Sequence, residues 1–274
     1  MTSLVRSVEN GVSLWRGGAG EPLLFLHAGG TGADVIRRLA EPFAHYRDVI
    51  VPDFPGYGET PADPAVPAIA ERIALVLALL HQQKGPVDIV GHSMGAFMAL
   101  QASIQSPEKI GRLAAIEPVA FGAIATGDPV DEAALAIDRD ANTALVEAYD
   151  RGDRERGIAT FISLWNGTPW DRLPEPVRNG LLKLGPVIRR EADAVSSDRT
   201  PASAYAGLGE RLCLIVGQHA PPPAHRIVIR LNEAAKGSRL VQIADMGHMG
   251  PVMQPQAYLP VLMEFLGCGD MAHG

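Results

Sequence analysis

The sequence predicts an α/β protein: a mostly parallel sheet of eight strands, flanked by helices and interrupted by a helical insert. Three observations carry this. Short apolar or β-branched runs alternate with stretches of helical length, the pattern of a parallel sheet covered on both faces. The alternation stops between Phe121 and about Arg199, where no strand reads convincingly, and then resumes. An apolar fraction of 47% with 20% charged residues is that of an ordinary globular chain, so disorder is not expected.

Taken in order, residues 3–16 read as a β-hairpin turning at Asn10-Gly11, a favoured pair for a two-residue turn. Pro22 to His27 is a fully apolar strand ending in Ala28-Gly29-Gly30-Thr31-Gly32, where backbone N–H groups are left to point at a ligand. A helix over 34–45, a strand over 48–51 and a helix over 67–83 follow. Val87-Asp88-Ile89-Val90 is a strand, Ala96 to Ala102 a helix, and Arg112 to Ile116 a further strand ending in Glu117-Pro118. The insert holds helical stretches at 131–150, 153–165, 174–183 and 186–197, divided by Gly and Pro. A strand at 212–216, a helix at 224–235, a strand at 240–243, the loop Asp245 to Pro251 and a helix at 256–266 complete the chain. This organisation places a core at 1–120 and 201–274, with the insert at 121–200.

The most informative stretch is Gly91-His92-Ser93-Met94-Gly95. G-x-S-x-G alone arises by chance about 0.1 to 0.2 times in a chain of this kind. Between a buried strand and a small-residue helix it is specific. The turn is so tight that side chains at Gly91 and Gly95 would collide with backbone, and the serine hydroxyl is raised above the sheet as a nucleophile.

Composition excludes other classes. A net charge of −7 with no Lys/Arg cluster argues against nucleic acid. The longest apolar run, Ile73 to Leu80, is too short to span a bilayer, and Met1 to Arg6 lacks a signal-peptide core. Cys213 and Cys268 form no disulfide framework, so a reduced, cytoplasmic setting is expected. No His and carboxylate set has metal-ligand spacing, and Gly29-Gly30-Thr31-Gly32 lacks the full dinucleotide fingerprint. Neither metal nor cofactor is expected, and the partner is a small-molecule substrate.

Four motifs in family order identify a resemblance: His27-Ala28-Gly29-Gly30, Pro52-Asp53-Phe54-Pro55-Gly56-Tyr57-Gly58, Gly91-His92-Ser93-Met94-Gly95 and Gly247-His248-Met249. The chain resembles the serine-hydrolase branch of the α/β-hydrolase fold, and its insert, with Trp165 and Trp170, falls where that family carries a helical cap. The resemblance implies that His248 is the base that takes the Ser93 proton, and that the oxyanion hole is built from the N–H groups of Met94 and Gly29. Ala28 stands where the family usually has glycine, which makes Gly30 a substitute donor.

The family most often supplies the triad acid after the seventh strand, but Gly217-Gln218-His219 offers no carboxylate, and a neutral amide cannot stabilise imidazolium. Glu117, at the end of the sixth strand, is the expected acid, with Asp245 in reserve. Asp53 is unassigned, and His27 and His92 are expected to be structural. Phe121, Trp165 and Trp170 are candidates for an apolar substrate pocket. The leading expectation is hydrolysis of a small carboxylic ester through an acyl-Ser93 intermediate. Lactones, thioesters and C–C bonds use similar machinery, and a ligand-binding protein on the same scaffold is the alternative from another class.

Overall fold

The computed structural model describes residues 3–268, so the Met1-Thr2 end of the N-terminal reading and residues 269–274 of the expected core lie outside it. The eight strands are β1 (Val5–Glu9), β2 (Val12–Gly17), β3 (Pro22–Leu26), β4 (Asp48–Pro52), β5 (Val87–His92), β6 (Ile110–Ile116), β7 (Leu212–Gly217) and β8 (Arg239–Ile243). They form one sheet in the order β1-β2-β4-β3-β5-β6-β7-β8. Only the β1–β2 and β2–β4 pairings are antiparallel. The rest are parallel, as chain crossovers through helices require. Asn10 and Gly11 both have positive φ (52° and 82°), the geometry a two-residue hairpin turn demands.

Successive side chains of a strand point to opposite faces, so an apolar strand feeds two cores at once. Leu24 and Leu26 of β3 join Ile89, Leu113 and Leu214 on one face, packed by α2 (Ala68–His81), α3 (Met94–Gln105) and α7 (Pro222–Ala234). Leu23 and Phe25 join Val49, Val90, Ala114 and Ile215 on the other, packed by α1 (Ala33–Ala40) and α9 (Leu259–Leu266). A short helix, α8 (Gly250–Met253), begins within the last two residues of the stretch that reads as a loop after β8 and runs past it.

Between β6 and β7 the chain forms three helices, α4 (Pro129–Asp150), α5 (Arg154–Asn166) and α6 (Glu175–Ser196). Asp128 caps α4 by accepting from the N–H groups of Val130 and Asp131. Buried Asp131 then pairs with Arg226 and Arg230 of α7 at 2.6 and 2.7 Å, fastening α4 to the sheet-covering layer.

Three helix expectations are corrected. The stretch 34–45 is α1 followed by a 3-10 turn, Glu41–His45, because Pro42 has no N–H to continue the ladder. In the same way 256–266 is a 3-10 turn, Pro255–Ala257, followed by α9. The stretches 174–183 and 186–197 are one helix that runs through Pro186. The proline costs a backbone bond, but Leu181, Gly185, Ile188, Ala192 and Val195 form one continuous buried face, and burial outweighs local propensity. Among the described residues no helix is long and apolar enough to cross a membrane.

Candidate active site

Ser93 sits at the β5–α3 turn with φ 54° and ψ −116°, a backbone conformation costly for a residue with a side chain. The turn survives because its flanks are glycine. A Cβ on Gly91 would stand 2.5 Å from the Ala96 Cα, and one on Gly95 would overlap the Leu26 carbonyl. The Met94 N–H opens α3, at the positive end of the helix dipole.

Two loops bring partners to Ser93. His248, after β8, places Nε2 3.0 Å from Ser93 Oγ and Nδ1 2.7 Å from Glu117 Oε2. A carboxylate facing Nδ1 fixes the proton there, so Nε2 is left to accept from the serine hydroxyl. Glu117 follows β6 with φ 45°, and its carboxylate is fully buried. Its second oxygen accepts the Gly217 N–H at 2.8 Å, and its own N–H donates to Ile215 at 2.9 Å. Sheet backbone therefore aims the acid.

His92 turns away from Ser93 and donates from Nε2 to the His248 carbonyl at 2.8 Å. Burial, reinforced by the neighbouring His248, pushes its pKa down to about 3, so it stays neutral. The reserve acid is elsewhere: the Asp245 carboxylate is 88% exposed and lies 3.9 Å from His219. Its N–H donates to Gln218 Oε1, so the residue after β7 ties down a surface loop.

The loop after β3 is held from three sides. His27 accepts the Phe54 N–H at Nε2 (3.0 Å) and donates from Nδ1 to the Ala28 carbonyl (2.8 Å), which joins it to the loop after β4. Burial lowers its pKa to about 4. Asp53 accepts the Ala33 N–H and pairs with Arg6, each at 2.8 Å, a structural anchor. The Gly30 N–H donates to the Tyr57 hydroxyl at 2.8 Å and is thereby engaged, which leaves Gly29 as the donor candidate in this loop. Tyr57 in turn donates to Glu191 Oε2 at 2.7 Å, and Arg72 pairs with Glu191 Oε1 at 2.6 Å. A Cβ on Gly29 would stand 3.1 Å from Glu191 Oε2, so α6 presses on this loop. Burial raises the Glu191 pKa, with Arg72 and Tyr57 opposing it.

Ser93, His248, Met94 and Gly29 open into a cavity of about 80 Å³, several times the roughly 15 Å³ that one water needs. Phe121 and Trp165 line it, and the Trp165 ring lies 4.8 Å from that of His248. Trp170 is not brought there. It donates to Glu155 at 3.0 Å in a short 3-10 turn and packs on the outer helical cluster. Most of the remaining wall comes from α4, α5 and α6, including Phe161, Ile188 and two acids absent from the sequence reading, Asp138 and Glu191. Both acids fall on the buried stripes of their helices, beside Ala134, Leu135 and Ala141 or Ile188, Ala192 and Val195. A charge on an apolar stripe was the available signal. No cluster of three metal-ligating side chains occurs among the described residues.

The alpha/beta hydrolase family model matches residues 23–261, and the chain belongs to that family. It is 28% identical over 152 residues to an (E)-2-((N-methylformamido)methylene)succinate hydrolase of Acinetobacter baylyi, covering 54% of this chain and 58% of that protein. It is 36% identical over 107 residues to a pimeloyl-[acyl-carrier protein] methyl ester esterase of Aeromonas salmonicida, covering 37% and 39%. The chain thus spans less than two thirds of these curated relatives. The solved 2-hydroxy-6-oxo-6-phenylhexa-2,4-dienoate hydrolase of Rhodococcus sp. strain RHA1 superposes with a TM-score of 0.74 at 19% identity, covering 97% of this chain and 100% of that one. At that identity the likeness speaks to the fold alone.

Proposed function

We propose that the protein is a serine hydrolase that cleaves a small carboxylic ester through an acyl-Ser93 intermediate. The observation that carries this is the unbroken chain Ser93 Oγ, His248 Nε2, His248 Nδ1 and Glu117 Oε2, with links of 3.0 and 2.7 Å. Ser93 Oγ attacks the ester carbonyl carbon as its proton passes to His248 Nε2. The carbonyl oxygen becomes an oxyanion held by the N–H groups of Met94 and Gly29. The C–O bond to the alcohol then breaks, and His248 returns the proton to the departing oxygen. Water repeats the sequence: Nε2 takes its proton, the hydroxyl adds to the acyl carbon, and Ser93 leaves reprotonated. Glu117 stays anionic throughout and stabilises the imidazolium.

In this reading residues 121–200 act as a cap that sets substrate choice, and the setting is cytoplasmic, in keeping with buried free thiols at Cys213 and Cys268. A second reading is C–C bond hydrolysis, suggested by relatives named as 2-hydroxymuconate semialdehyde hydrolase and dienoate hydrolase. The dienoate name denotes an anionic substrate. The cavity here is lined by Asp138 and Glu191 and by no Lys or Arg among the described residues, which favours the ester. The test is turnover of p-nitrophenyl butyrate and of 2-hydroxy-6-oxo-6-phenylhexa-2,4-dienoate by wild type and Ser93→Ala. Ester hydrolysis lost in Ser93→Ala supports the proposal. Dienoate turnover without ester turnover transfers it to the second reading, and activity that survives in Ser93→Ala refutes both.

A further inference from the structure

Asp138 lies on α4, is only 1% exposed and lines the same cavity as Ser93. Its Oδ2 accepts the Ser196 hydroxyl at 2.6 Å, so the two helices α4 and α6 meet at this carboxyl. It has no cationic partner in ion-pair contact among the described residues. Arg139, its neighbour in sequence, points outward to Glu132 at 3.4 Å. The other acid of the cavity differs in this respect, since Glu191 is matched by Arg72 at 2.6 Å and by the Tyr57 hydroxyl at 2.7 Å. The remaining wall is mainly apolar: Val119, Phe121, Phe161, Ile162 and Val195 are among its residues.

A carboxyl placed in such surroundings without a countercharge is costly, and burial pushes its pKa up to about 6. A plain apolar residue at this stripe position would pack α4 without that cost. An incoming cation would offset it, and a charge-assisted hydrogen bond in a dry cavity is among the stronger polar contacts available.

We propose that Asp138 is a specificity-determining residue of the cavity, and that the preferred substrate is an ester carrying a cationic amine that docks on this carboxylate while its carbonyl faces Ser93. This rests on the acyl-serine reading of the same cavity and names its substrate class. The amine donates to the Asp138 oxygen that Ser196 does not occupy, and the apolar wall takes the chain between amine and carbonyl. Glu191, already neutralised, holds the loop after β3 and makes no demand on the substrate's charge.

The experiment compares kcat/KM for p-nitrophenyl 6-aminohexanoate with that for p-nitrophenyl heptanoate, near-isosteres that differ in charge. It is run on wild type, Asp138→Asn and Asp138→Glu. Alongside it, binding of butylammonium and of butan-1-ol is followed by tryptophan fluorescence. The expected result is a preference for the amine of about 10- to 100-fold in wild type. That ratio collapses toward unity in Asp138→Asn and persists in Asp138→Glu, and butylammonium binds more tightly than butanol. Turnover of both esters without preference, with equal binding of the two probes, overturns the inference and leaves the hydrolase reading intact. Turnover of neither ester, with butylammonium binding that Asp138→Asn abolishes, overturns the ester reading and keeps the amine site. If Asp138→Asn does not fold, the wild-type contrast between the two esters and the two binding probes decides alone.

Discussion

Glu117 Oε2 and His248 Nδ1 stand 2.7 Å apart across 131 residues of sequence, and both side chains are buried. The acid reaches the histidine from the end of β6, beside the neighbouring strand whose loop carries Gln218. In the proposed mechanism it must be anionic, so an isosteric amide isolates the charge from the packing. Glu117→Gln is expected to lower kcat by about 10³ to 10⁴-fold with little change in KM, because the wrong tautomer is held and imidazolium loses its counterion. Asp245→Asn, at an exposed carboxylate, is expected to stay within about twofold of wild type. Steady-state kinetics on both variants, with circular dichroism to check folding, reads this out. An Asp245→Asn defect as large as that of Glu117→Gln contradicts the assignment.

The ion pair between Arg72 and Glu191 joins α2 to α6 and, through Tyr57, fixes Gly30. Removing one member of a buried pair leaves the other charge unmatched. Arg72→Met is therefore expected to lower the unfolding free energy by about 3–5 kcal/mol. Adding Glu191→Gln to that variant is expected to recover part of the loss, since the uncompensated charge is gone. Urea unfolding of the two variants measures it, and a double variant no more stable than Arg72→Met sinks the account.

His27 and His92 are held neutral in the fold, with pKa values lowered to about 4 and about 3 by burial. The unfolded chain protonates them near pH 6.5, so below that pH it binds protons the native state refuses. Stability is therefore lost as pH falls, each histidine contributing a slope that approaches about 1.4 kcal/mol per pH unit. The His27 contribution ends near pH 4 and that of His92 near pH 3. Replacing His92 with Gln is expected to flatten the decline between pH 6 and 4.5, measured by denaturant unfolding at several pH values. Parallel curves for variant and wild type count against a neutral buried His92.

Asp138 works in the opposite sense. Its folded pKa, about 6, lies above the unfolded value, so the native state pays for its charge at neutral pH and is relieved as pH falls. Asp138→Asn is expected to be more stable than wild type at pH 8, by up to about 3 kcal/mol, with the gain fading below about pH 4. Thermal unfolding of the free protein at pH 8 and pH 4 checks this, and a variant less stable at pH 8 argues that Asp138 serves packing alone.

The tight turn at Ser93 was legible because glycine spacing at a strand end is local chemistry, and the meeting of His248 with Ser93 was expected from the family resemblance. That a carboxylate at the end of β6 faces His248 follows the expectation drawn from the family resemblance, since β7 ends without a carboxylate and Glu117 closes β6. What stayed hidden depends on contacts between distant elements. That the Gly30 N–H is engaged depends on Tyr57, which claims it from another loop. The cavity wall is built largely by helices α4 to α6, and tryptophan content did not distinguish Trp165, which packs beside His248, from Trp170, which packs outward. Pro186 read as a boundary because local propensity was weighed without the continuous buried face that carries α6 past it.

The most direct test of the central claim is covalent: wild type, Ser93→Ala and Glu117→Gln are treated with a fluorophosphonate and mapped by peptide mass spectrometry. A serine hydrolase acting through Ser93 gives a single adduct on the peptide that contains it, absent in Ser93→Ala and much slower to form in Glu117→Gln. A folded wild-type protein that takes no label, or takes it on another residue, contradicts the acyl-serine account.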